Sequence, residues 1–576
     1  MQTQLRSPQP VRNVSQLEVY RSESPQRPIT LKLDANEGPM FELDPATFNE
    51  SCSRTYPDKS ELEKRLAMKF NVRPEQVVVT AGGDEAIDRI CRAYLEPGRN
   101  LIFPEPSFEM IRKYATIAGA EVRPVIWQAE FPVDQILALA DETTSIVAVV
   151  SPNNPTGKTV DVDSLRRLAT ELPSALILVD QAYAEFEDAS ISESLTQVAL
   201  SELPNAVVVR TFSKAWGLAG LRVGYALGNS TIIENLKRVG GPYPVSSISL
   251  AAGNRCLANP SIGRAVYIER VFSEREQLRS LLQSNASCEV TPSQGNFVYV
   301  RFGSTKVTAQ FVFDALAAQG ILVRRFPGQN ALRITCPGNE QDFERLTSTL
   351  NRVLNPKAIL FDMDGVMVDE SRSYREAIRL TCLDFGIDVS IKEIFKLKML
   401  GNANNDWEFT FKLLSDRGLD ISFEQVKTRF EQIYQGDANS PGLWNREVRL
   451  VERNWLENLA TKYPLAIVTG RPRNDAERFL QTECIRDLFT VVVCMEDGPA
   501  KPAPDNVCLA LQKLDVDSAW MIGDSPDDIG AAVSAGLVGI GIVAPEDDPK
   551  AATEKLVCAG AATVVESLDE FGELLR

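Results

Sequence analysis

Two short stretches set reactive side chains at the ends of apolar runs. In "RTFSKAWGLAGLRVG", Lys214 lies just past the run Val207–Val209, and Arg222 follows. In "AILFDMDGVMVDE", Ala358 to Glu370, Asp362 and Asp364 close another apolar run. A lysine amine held by a protein can form a Schiff base with a carbonyl or carry a proton. Two carboxylates two residues apart on a strand face the same way. They repel unless a cation lies between them or one is protonated.

Each stretch has companions elsewhere. For Lys214 they are Asn154 in "SPNNPTG", Asp180 and Tyr183 in "LVDQAY", and the turn "AGGDEAID". Together they supply the parts that pyridoxal phosphate (PLP) needs. These are an amine for the carbonyl, a carboxylate to keep the pyridine nitrogen protonated, a phenol and an amide for the ring hydroxyl, and an arginine with a helix N-terminus for the phosphate. Gly82 and Gly83 allow close backbone approach, and Asp84 and Glu85 open the helix, although an acidic first turn is also an ordinary cap. For the aspartate pair the companions are Thr469 after "LAIVTG", Lys501 opening "KPAPD", and Asp524, Asp527 and Asp528 in "MIGDSPDDIGAAVSAG".

The elements that must position these residues are short apolar runs alternating with amphipathic stretches. "QVVVTAGG", "SIVAVVSP", "ALILVDQA" and "AWMIGDS" have strand length and end in polar or small residues, while "DEAIDRICRAYLEPG" has helical spacing. Such alternation predicts an α/β architecture with buried, largely parallel sheets, whose ligands sit at the carboxyl ends of strands. A helical pattern ends near Leu354, Asn355-Pro356 breaks it, and a new strand begins. This predicts one domain over residues 1–354 and another over 357–576. Helical patterns from about 371 to 462 predict an insert within the second.

The first part resembles the fold-type I PLP aminotransferases through the order NNPTG, DxAY and SKxxGLAGLRVG. The resemblance implies that Lys214 carries PLP, that Asp180 pairs with the pyridine nitrogen, and that Tyr183 and Asn154 contact the ring oxygen. It assigns phosphate binding to Arg222, Thr211 and Ser213 with the turn of Gly83, Asp84 and Glu85, and ring stacking to Phe108. Tyr56, in "RTYPDKS", would reach the cofactor phosphate of a second subunit, which implies a homodimer. "LDANEGP", "GGDEAID", "GPYPVSS" and "GNFVYVR" are similar to the histidinol-phosphate aminotransferase branch. That branch implies Arg333, with Arg324 or Arg325, as binders of a substrate phosphate, at a site that also accepts glutamate. Another amino-acid substrate and phosphothreonine decarboxylation are the alternatives.

The second part resembles haloacid-dehalogenase-like phosphatases: a Rossmann-like domain with a helical cap like that of phosphoglycolate-phosphatase relatives. This implies Asp362 as nucleophile, Asp364 as general acid and then base, and Thr469 and Lys501 on the phosphoryl oxygens. Mg2+ would be bound by Asp362, the backbone of Asp364, and Asp524, with Asp528 rather than Asp527 in support. The two resemblances imply consecutive steps of histidine biosynthesis; a general phosphoglycolate-phosphatase-like hydrolase and a non-catalytic C-terminal module are the rivals. In the cap, "GNANNDWEF" offers Asp406 for an ammonium group and Trp407 for a ring; a capped helix start with a packed tryptophan is the alternative.

Composition is consistent with these expectations. The 576 residues carry a net charge of −17, which argues against nucleic acid or anionic membrane as a partner. No apolar run is long enough for a bilayer, and the N-terminus lacks a secretory apolar core. Ten scattered cysteines without CxxC suggest reduced thiols and a cytoplasmic setting. Histidine is absent. That removes imidazole bases and His-ligated zinc, and leaves Lys, Asp, Glu, Tyr and Cys for proton transfer and oxygen ligands for any metal.

Overall fold

The computed structural model describes residues 10–15, 17–19, 27–40, 53–188, 194–259, 264–303, 307–401, 405–437, 440–545 and 547–575. The chain forms two compact units. One comprises Met1–Ser24, Leu33–Arg301 and Ala331–Glu344; the other comprises Pro25–Lys32, Phe302–Asn330 and Arg345–Arg576.

The first unit is built on a seven-stranded sheet: β1 (Val77–Thr80), β2 (Asn100–Glu105), β3 (Glu121–Ile126), β4 (Thr144–Val150), β5 (Leu176–Asp180), β6 (Ala206–Thr211) and β7 (Gly224–Gly228). Their order is β1-β7-β6-β5-β4-β2-β3. β7 runs antiparallel to both its neighbours and the rest are parallel. The inner runs are largely apolar because both faces are covered, while the edge strand β3 carries Glu121 and Arg123 and is mostly exposed or half-buried. In β4, Ile146, Ala148 and Val150 enter one core with Ile87 and Ile90, while Val147 and Val149 enter another with Leu165 and Leu168. Helix α1 (Gly82–Tyr94) starts directly after β1. Gly82 has φ +79°, and a Cβ there would come within 2.6 Å of the Arg222 guanidinium, so the turn needs glycine. In a separate pair, β8 (Phe297–Phe302) runs antiparallel to β9 (Ala331–Thr335), with Tyr299 opposite Arg333.

The second unit holds six parallel strands. They are β10 (Ile359–Phe361), β13 (Leu465–Val468), β14 (Val491–Val493), β15 (Trp520–Gly523), β16 (Val538–Ile542) and β17 (Thr563–Val565), in the order β14-β13-β10-β15-β16-β17. The short ribbon of β11 (Val368–Asp369) and β12 (Val448–Arg449) leads out to and back from the insert. Helix α2 (Ala309–Ala318) belongs to this unit: Phe311 meets Trp520 at 5.1 Å between ring centres. Just beyond it, Gln319 donates to the carbonyls of Val533 and Leu537 at 3.3 and 3.1 Å. The Trp520 indole N–H donates to the Val353 carbonyl at 3.2 Å.

Among the described residues the insert is a cap of four α-helices: α3 (Tyr374–Asp384), α4 (Ile391–Lys398), α5 (Asp406–Ser415) and α6 (Phe423–Gln435). They share a core that includes Ile378, Ile394, Leu414 and Phe430. The helix Arg453–Ala460, inside the range expected for the insert, packs through Trp455 against Phe361 of the sheet, 6.4 Å between ring centres.

Candidate active sites

In the first unit Asp180 and Thr211 end β5 and β6, and Tyr183, Ser213 and Lys214 follow within three residues. The Lys214 Nζ donates to the Ala35 carbonyl at 2.8 Å and lies 5.7 Å from the centre of the Tyr183 ring. The Tyr183 hydroxyl accepts from Asn36 at 2.9 Å, and its ring stands edge-on to Phe297. Arg333 donates to Asn154 Oδ1 at 2.6 Å and to the Asp34 carbonyl. The Thr211 hydroxyl donates to Ser213 Oγ at 2.9 Å. Arg222, itself in the left-handed region at φ 51°, donates to Ser213 Oγ at 3.3 Å and to Asp84 at 2.9 Å. Arg222 and the Thr211–Ser213 pair thus converge on the N-terminus of α1, an arrangement suited to an anion. Glu85 is taken up locally, pairing with Arg89 at 2.6 Å and accepting the Ala81 N–H. Phe108, half-buried, precedes the helix Glu109–Ile117 and packs against the core beside it. Arg324 and Arg325 lie on the strand Ile321–Phe326, in the second unit. Tyr56 is 79% exposed and stacks on Tyr243 at 4.4 Å.

Asp180 ends β5 and is buried. Burial pushes its carboxyl up to about 7; the Ala182 N–H opposes this, Asp84 adds to it and Lys214 lowers it. A cation in contact would relieve the cost of ionising it. The sign for stability follows. The unfolded chain ionises this group first, so without such a cation the fold loses stability as pH rises from the ordinary aspartate range to about 7. Asp180→Asn should flatten that part of the slope, as read by thermal unfolding of the cofactor-free protein between pH 5 and 8.

The second site lies at the carboxyl edge of β10, β13 and β15, where strands on either side of β10 connect in opposite directions. Asp362, Asp524 and Asp528 are buried with carboxylate oxygens within 4.8 Å of one another. Lys501 contacts Asp362 and Asp528, both at 2.5 Å. Burial lowers its affinity for a proton, but the two carboxylates outweigh that and hold it charged. Burial, then Asp528, push Asp362 up to about 7 against the pull of Lys501; Asp524 is raised well above its usual range by burial, Asp528 and Asp362. Three carboxylates crowded in this way fit a hard divalent cation. Asp528 is fixed by the Ser525 N–H and hydroxyl at 3.0 and 2.6 Å. A Cβ on Gly365, at φ +69°, would fall 2.2 Å from Asp524. Thr469 is buried beside them, its hydroxyl oxygen accepting the Arg471 N–H at 3.1 Å. Asp527 is buried and lines the same cavity.

Asp362 and Asp364 follow β10, which ends at Phe361, and each carboxylate has its own cation: Lys501 for Asp362, Arg471 for Asp364. Both line one cavity, and the three-aspartate group takes in Asp362 but not Asp364. Asp406 and Trp407 line the cavity next to Asp364. Asp406 already has an ammonium partner, Lys398 at 2.8 Å. The Trp407 indole donates to Glu431, and Lys427 covers its ring at 4.2 Å. Asn402–Asn404 of that loop fall outside the described residues. Sequence reading missed Asn36, Glu370, Arg375, Arg471 and Asp547. Arg375 pairs with Glu370 at 2.7 Å and Asp547 at 2.5 Å, and stands 3.9 Å from Asp524.

Residues 44–350 match the family Aminotransferase class I and II, and residues 359–542 match Haloacid dehalogenase-like hydrolase. A histidinol-phosphate aminotransferase of Pectobacterium carotovorum subsp. carotovorum (strain PC1) is 35% identical over 333 residues, covering 55% of this chain and 89% of that protein. An imidazoleglycerol-phosphate dehydratase of Phytophthora nicotianae is 42% identical over 236 residues, 38% of this chain; the chain spans about half of that relative, 52%. In fold, the histidinol-phosphate aminotransferase of Sinorhizobium meliloti, solved with pyridoxal-5'-phosphate, superposes with a TM-score of 0.54 at 22% identity, covering 61% of this chain and 98% of that one. The chain belongs to the class I and II aminotransferase family and carries a haloacid dehalogenase-like hydrolase domain behind it.

Proposed function

We propose that this protein catalyses two consecutive steps of histidine biosynthesis: transamination between glutamate and imidazole-acetol phosphate to give L-histidinol phosphate, then hydrolysis of that ester to L-histidinol. The observation that carries the reading is the presence, in one chain, of an assembled lysine site and a separate carboxylate site suited to phosphoryl transfer. The 89% coverage of a histidinol-phosphate aminotransferase supports the first substrate. The second follows from chemistry: the product of the first step is a phosphomonoester.

In the first site, Lys214 supplies the amine and carries the proton at the substrate's α-carbon. Asp180 faces a protonated ring nitrogen, which explains a buried carboxylate at a strand end. Tyr183 and Asn154 hold the ring oxygen, Phe108 stacks, and Thr211, Ser213, Arg222 and the N-terminus of α1 hold the phosphate. Arg333 binds the anionic end of the substrate. When bound, PLP supplies an electron sink. In the second site, an Asp362 oxygen attacks phosphorus while the ester P–O bond breaks, and the departing oxygen takes a proton from Asp364. Water then attacks phosphorus, Asp364 takes its proton, and the Asp362–phosphorus bond breaks. Thr469 and Lys501 steady the phosphoryl oxygens. When held by Asp362, Asp524 and the backbone of Asp364, with Asp528 in support, Mg2+ offsets the gathered negative charge.

The test is to supply the intact protein with imidazole-acetol phosphate, glutamate, PLP and magnesium. Histidinol and inorganic phosphate should form. Turnover of imidazole-acetol phosphate without phosphate release from the product would sink the consecutive-step reading. The protein should also sediment at twice its 63.6 kDa. Tyr56, exposed on one protomer, would reach the partner's cofactor phosphate. Tyr56→Phe should weaken PLP binding about tenfold, the worth of one hydrogen bond to a charged group, as measured by cofactor titration.

A further inference from the structure

Arg471 lies two residues beyond Thr469, on the loop after β13, with a side chain only 1% exposed. A buried arginine has to have its charge and donors met. Here both partners are carboxylates. Nε and Nη2 reach Asp364 Oδ1 at 2.9 and 2.6 Å, and Nε is 3.2 Å from Oδ2. Nη1 reaches Glu447 Oε2 at 3.0 Å. Glu447 immediately precedes β12, where the chain returns from the cap. Its other oxygen accepts from the Ser373 and Tyr434 hydroxyls at 3.1 and 2.9 Å. The guanidinium also lies 4.9 Å from the centre of the Tyr374 ring, on cap helix α3. One side chain thus grips Asp364 and, with its remaining nitrogen, the foot of the cap.

We propose that Arg471 is a positioning residue that aims Asp364 for proton transfer and, through Glu447, makes that aim depend on a docked cap. This rests on the phosphatase reading above. Two-point contact fixes the plane of the carboxylate as well as its place. It leaves Asp364 lining the cavity that holds Asp362 and Asp524. In the first half-reaction the Asp364 proton goes to the departing ester oxygen as the Asp362–phosphorus bond forms and the ester bond breaks. An alkyl alkoxide needs that proton; p-nitrophenolate leaves as a stable anion and needs it little. A residue that merely holds the fold together would not distinguish the two.

The experiment measures kcat/KM, which reports steps up to departure of the first product, for histidinol phosphate and p-nitrophenyl phosphate in the full-length protein. Arg471→Lys should lose about 10- to 100-fold on the alkyl ester, the usual cost of misplacing a reacting group. Its loss on the aryl ester should be at least about tenfold smaller. Glu447→Gln should show the same bias, and adding it to Arg471→Lys should cost little more, since both act on one contact. Thermal unfolding checks that each variant folds; if Arg471→Lys does not, Glu447→Gln decides. Equal losses on both esters from a folded variant overturn the proposal. A wild-type protein inactive on both esters overturns the phosphatase reading itself.

Discussion

Lys214→Ala abolishes transamination, a loss of about 10³-fold or more, while hydrolysis of histidinol phosphate continues at the wild-type rate. The size follows from removing both the amine that engages the carbonyl and the group that moves the α-proton. The selectivity follows from the second site, whose aspartates and lysine owe nothing to Lys214. Two measurements check it: the transamination rate, and the visible absorbance that develops when PLP is added to the cofactor-free protein. Wild-type protein should develop a new band and the variant should not. A variant that transaminates normally removes Lys214 from its role.

Asp362→Asn has the opposite signature. Transamination proceeds, histidinol phosphate accumulates, and phosphate release falls by on the order of 10³-fold or more, because the nucleophile is gone. Chelating magnesium should give the same pattern, since the cation site proposed above is the three-aspartate group of the second site. Asp364→Asn keeps the nucleophile and loses the proton donor, so it should cost roughly 10²–10⁴ in rate. If chelation instead stopped transamination and spared phosphate release, the assignment of the metal to the three aspartates would fail.

Much of both sites was legible because α/β folds put ligands at strand ends. Lys214, Asp180 and Asp362 each follow an apolar run, and each stands at a sheet edge. Gly82 and Gly365 sit where a side chain would strike a site residue, a demand visible in sequence as a glycine beside a reactive group. The rest was illegible for one physical reason. Arg375 and Asp547 are 172 residues apart, and Arg471 and Asp364 are 107 apart. A lone arginine in a polar stretch looks like a solvated surface residue until the fold brings a buried carboxylate to it. Asp406 looked available for a ligand's ammonium group because Lys398, eight residues away, showed no sign of reaching it.

The packing of Phe311 on Trp520 bears on how the two enzymes could ever be parted. Asn355-Pro356 looks like the seam at which a gene could be split. Yet a hydrolase freed there would leave behind α2, Gln319 and the Val353 carbonyl that meets the Trp520 indole. It would expose Trp520 at the start of β15, the strand that Asp524 follows. Once a lineage had built that contact, separating the two genes would need compensating changes on the freed surface, so the fusion is easier to keep than to reverse.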